Sequence, residues 1–63
     1  MTIEQAAKSM SESDFVLHYV KEAYMQEFGE FKGITEELKI NSQLVSITAN
    51  NALDIYSEII NDN

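Results

Sequence analysis

The stretch VSITANNALDIYSEIINDN, residues 45–63, decides how the chain folds. Val-Ser-Ile-Thr at its start contains β-branched residues that suit a strand. A half-buried strand needs apolar residues at every second position, and that alternation is absent. Val45, Ala49, Ala52, Tyr56 and Ile59 instead recur with 4-3-4-3 spacing, the register of a helical seam, and Leu53 and Ile60 widen it. Helix is therefore predicted. The same stretch has no lysine, arginine or histidine, and its acids Asp54, Glu58 and Asp62 stand four apart.

Working towards the N-terminus, Asn41 is a suitable N-cap. Ile40 and Val45 occupy the N′ and N4 positions of a hydrophobic staple. A helix of about twenty residues is predicted from there, about 30 Å long. Ahead of it, FGEFKGITEELKIN (28–41) carries both glycines of a chain without proline. Gly29 or Gly33 is the expected stop of a preceding helix, because glycine enters the left-handed C-cap conformation without steric cost. ITEELKI (34–40) reads as a short helical turn or an extended crossing.

The N-terminal third has its own punctuation. Thr2 and Gln5 have capping-box spacing, and Ile3, Ala6, Ala7 and Met10 follow at helical intervals. Ser11, Glu12, Ser13 and Asp14 offer a break or a new N-cap. A second helix is predicted from Ser13 to Phe28. Val16, Val20, Tyr24, Phe28 and Phe31 form its apolar stripe, flanked by Leu17 and Ala23. Phe15, Tyr19 and Met25 fall outside the stripe's centre, so the helix should be covered on more than one side.

These elements define an all-α fold: one domain over residues 1–63, a hairpin of two long helices with a short N-terminal helix. A single hairpin cannot cover both the stripe and the seam, so two hairpins are expected to pair as a dimeric four-helix bundle. Val45, Ala49, Ala52, Leu53, Tyr56, Ile59 and Ile60 are the expected self-association surface. Self-association suits the size, since 63 residues bury only about 60% of the surface that the unfolded chain exposes.

Composition narrows the chemistry. There is no cysteine and one histidine, which removes disulfides, thiol nucleophiles and the usual zinc ligand sets. The net charge is −7, a field that opposes nucleic acid and anionic membrane and favours a basic partner. No apolar run approaches the 18 or so residues of a membrane span, and MTIEQAAKSM does not have the form of a secretory signal. A cytoplasmic protein is expected.

Asp14, His18 and Glu22 share a helix face at i, i+4 and i+8. Without a second histidine they read as local charge contacts of about 0.2–0.5 kcal/mol each, not a metal site or an acid–base pair. Nothing ties a serine to His18 as its base, GEFKG lacks the spacing of a phosphate loop, and no cofactor is implied. A non-enzymatic chain is expected.

Thr2, Ile3, Ala6, Ala7 and Met10, followed by Leu17 and Val20, resemble the opening of the helix-turn-helix in small excisionase-like and MerR-like DNA-binding domains. That resemblance implies a second helix reading the major groove and an alternative function as a DNA-binding regulator through residues 2–21. Ser11 stands where those families place a turn glycine, and Glu12, Asp14 and Glu22 outnumber Lys21 on the corresponding helix.

Asp54 and Glu58 are the expected partner-binding residues. Like charges at i,i+4 are mildly destabilising, and acids near a helix C-terminus oppose its dipole. Asp62, with Asn61 and Asn63, suits a solvated, fraying end. Asp54 and Glu58 suit a basic counterpart, either Lys8 or Lys21 of the same chain or a foreign protein. The leading expectation is thus a small acidic interaction protein, a regulator or inhibitor of a basic or nucleic-acid-binding partner, or else an assembly accessory factor.

Overall fold

The computed structural model describes residues 1–62 and is all-helical: α1 is Ile3–Ser9, α2 is Glu12–Phe28 and α3 is Ile34–Asn61. Asn63 lies outside the described residues. Each helix start follows from its local sequence. The Thr2 side chain accepts the Gln5 amide at 3.1 Å, and the Gln5 side chain accepts the Thr2 amide at 2.9 Å, the reciprocal capping box. Met10 and Ser11 are extended and turn the chain, and Ser11 caps α2 by accepting the Asp14 amide at 3.2 Å. Gly29 ends α2 in the left-handed region at φ 75°.

The helix predicted from Asn41 is present, and ITEELKI takes the helical option ahead of it. Residues 34–40 and the longer run after them join as α3, broken where Asn41 leaves helical geometry at φ −156°, ψ 85°. The Asn41 side chain accepts the Leu44 amide at 3.1 Å, so an N-cap operates inside what is otherwise one helix. A straight helix of 28 residues would run about 42 Å, whereas the longest dimension of the molecule is 38 Å.

The core has two centres. In one, Ala6 and Ala7 of α1 and Ala52 of α3 close around Phe15 of α2, with Met10, Tyr19, Tyr56 and Ile59 at its edge. Alanine at these positions lets the helices approach closely enough to seal a phenylalanine ring. Phe15 is 1% exposed, and its ring lies 5.4 Å from that of Tyr56. The sequence places Phe15 outside the α2 stripe; α1, packed across the start of the hairpin, supplies the second cover. In the other centre, Val20 and Tyr24 meet Val45, with Phe31, Ile34, Leu44 and Ala49 around them.

The stripe assignment needs one further correction: Phe28 and Leu17 are exposed. Phe28 is the last residue of α2, and the chain turns away at Gly29 before α3 can cover it.

Truncation of the one large ring that all three helices share should be severe. Phe15→Ala is expected to cost about 3–5 kcal/mol, enough to abolish a cooperative thermal transition followed by circular dichroism. Asn41→Ala should cost about 1 kcal/mol and leave the transition cooperative.

Candidate functional site

Most of the predicted seam is used within the chain. Val45 and Ala52 are buried, Ala49 packs on the Val20–Tyr24 centre, and Tyr56 and Ile59 pack on the Phe15 centre. Leu53 and Ile60 are its exposed members. Asp54 and Glu58 are exposed as well. At about 100° per residue, Asp54 lies about 180° around the helix from Val45, so the acidic strip backs onto the seam's far side and does not border it. Among the described residues neither acid has a lysine partner: Lys8 pairs with Glu4 at 3.2 Å, Lys32 with Glu30 at 3.8 Å and Lys39 with Glu36 at 3.5 Å.

His18 and Glu22 line an open groove of about 470 Å³ with Met1, Ile3 and Tyr19. No group of three histidine or acidic side chains among the described residues is placed to share a metal ion. Residues 2–21 form two helices joined by a short turn, and Glu12 and Asp14 are exposed on the first turn of the second. Carboxylates there oppose a phosphate backbone.

A second groove, of about 310 Å³, opens where α2 ends and α3 breaks. Tyr24, Phe28, Ile40 and Leu44 supply its apolar lining, and Glu30, Lys32, Glu37 and Asn41 its polar groups. The backbone builds this site directly. Gly29 turns the chain just after Phe28, and the break at Asn41 directs the 34–40 segment, with Glu37 and Ile40, towards the end of α2. Phe28 and Ile40 stand 59% and 61% exposed beside it.

Two buried polar groups lie against this apolar surface. Glu37 is 7% exposed, and its carboxylate accepts the Lys32 amide at 3.1 Å, securing the start of α3 where Gly33 offers no side-chain cap. Tyr24 is 4% exposed, and its hydroxyl is sealed from solvent without a hydrogen-bond partner. A buried polar group left unpaired costs about 1–3 kcal/mol. Burial pushes the Tyr24 phenol above its ordinary value of 10.0, and the negative charge of Glu37 pushes the same way.

Sequence reasoning assigned Tyr24 and Phe28 to the core stripe and Ile40 to a staple, and missed the groove. Its signal was Ile40 and Phe28 flanking a glycine-punctuated turn. Glu37 within TEELK gives no sign of burial, which depends on the chain folding back over it. No known protein family, curated protein or solved structure matches the chain.

Tyr24→Phe keeps the ring packing and removes the orphan hydroxyl, so it should raise stability by about 1 kcal/mol in urea unfolding. A phenol whose folded-state pKa is raised holds its proton more tightly in the folded chain. Its contribution is present in full below pH 10.0 and is lost as pH rises above that value. The variant should therefore show a smaller alkaline loss of stability than the parent.

Proposed function

We propose that this chain is a non-catalytic protein–protein interaction module, a small acidic regulator that docks on a basic partner. One observation carries the reading: large apolar side chains stand exposed around a thin core. Among the described residues three of the seven buried apolar ones are alanines, while Ile3, Leu17, Phe28, Ile40 and Ile47 are each more than 40% exposed. Scattered exposed leucines need no explanation, but Phe28 and Ile40 stand exposed together at one groove, and adjoining apolar side chains of this kind favour cover by a partner.

Charge selects the kind of partner. A net −7 attracts a basic surface and accelerates its encounter. Asp54 and Glu58, unpaired with lysine among the described residues, add to that field. Inhibition of a basic or nucleic-acid-binding protein by occupying its cationic face is the activity this combination supports best.

Self-association is the second reading. The small core and the exposure of Leu53 beside the seam favour it, and the repulsion between two acidic copies opposes it.

Two measurements test these readings. In sedimentation equilibrium at low salt, a species of 7.2 kDa at all concentrations would end the self-association reading. Affinity capture should retain a basic protein that elutes as salt is raised, because screening shortens the reach of surface charge to about 8 Å at physiological ionic strength. The Asp54→Asn/Glu58→Gln variant should retain less of it. Capture of an acidic partner insensitive to salt would overturn the basic-partner assignment.

A further inference from the structure

The geometry points to the groove between the end of α2 and the break in α3 as the anchoring site of that partner, with an arginine side chain on an amphipathic segment as its occupant. The inference rests on the interaction-module reading and adds where contact is made and through which group.

Three observations converge on one place. Phe28 and Ile40 are the two most exposed large apolar residues after Met1, and both line this groove. An apolar helix face or extended segment would cover them. The groove's lining also includes the nearly buried Glu37 with its carboxylate, and Tyr24, whose buried hydroxyl has no hydrogen-bond partner among the described residues. The groove's one cation, Lys32, already lies 3.8 Å from Glu30. A cationic donor entering the groove therefore meets the Glu37 carboxylate, and among the described residues of the lining the one lysine is already paired.

Arginine fits this set better than lysine. Its planar guanidinium has five N–H donors and can serve two acceptors at once, where an ammonium is a compact point charge. It also stacks on aromatic faces, and the Tyr24 and Phe28 rings stand 5.4 Å apart at the groove. Its apolar stem lies along surfaces such as Leu44 and Ile40.

A second copy of this chain is a poorer occupant. It has no arginine, and three of its four lysines already have acidic neighbours. It also brings another −7 of charge.

The test is an NMR titration of the full chain with a capped amphipathic peptide of leucine and arginine, and with the same peptide carrying lysine for arginine. Expected are saturable shifts centred on Tyr24, Phe28, Ile40 and Leu44, and several-fold tighter binding of the arginine peptide. Glu37→Gln keeps an oxygen to accept the Lys32 amide and should weaken binding by about tenfold, as should Phe28→Ala through the lost apolar cover. The Asp54→Asn/Glu58→Gln variant removes twice the charge and should change affinity less than Glu37→Gln does.

A larger loss in that double variant, or shifts centred on Asp54 and Glu58, would mean attraction by bulk charge. The groove assignment would fall while the interaction-module reading stood. Equal affinity for the two peptides would overturn the arginine assignment. Identical shifts on concentrating the protein alone would name a second copy as the occupant and overturn the proposal.

Discussion

The close approach of α1 to α3, alanine against alanine, is the constraint on which the rest of the structure depends. Phe15 points away from the main stripe of α2, and only a helix crossing the hairpin can enclose it. Ala6, Ala7 and Ala52 have side chains short enough to allow that crossing. Once α1 is seated, Tyr56 and Ile59 have a surface to pack on, and α3 is fixed in rotation about its own axis. That rotation sends Val45 to the second core centre and leaves Asp54 and Glu58 on the far side, in water.

The helices were largely legible in the sequence because their signals are local. Thr2 with Gln5, Ser11, Gly29 and Asn41 act on neighbours within a turn of chain, and each does in the structure what its spacing implies. The seam was also legible as a seam. Its partner was not, because a 4-3-4-3 repeat records that a helix face is covered and says nothing of what covers it. Here α1 and α2 take up most of that face within one chain, a solution open to a short N-terminal helix only because its inner residues are small. The groove was the least legible feature. It arises from residues distant in sequence, Tyr24 and Phe28 on one side and Glu37, Ile40 and Leu44 on the other, brought together by two backbone breaks.

Core and surface divide the apolar residues unevenly. Alanines take up much of the interior, while phenylalanine and isoleucine stand in water at the loop end. For a chain this small the arrangement leaves the core thin and apolar surface in water, and the high net charge offsets the tendency of such a surface to aggregate. On the proposed reading, apolar side chains would supply contact and the acidic field would restrict which proteins are brought to it.

Asn41 has two duties that cannot be separated. Its side chain begins the longer run of α3, and its extended backbone sets the angle at which the 34–40 segment meets α2. The width of the groove is thereby fixed by the same residue that secures the helix. A substitution that restored regular helix at this point would straighten α3 and carry Glu37 and Ile40 away from Tyr24 and Phe28. In this chain, a smoother helix would mean a lost cleft.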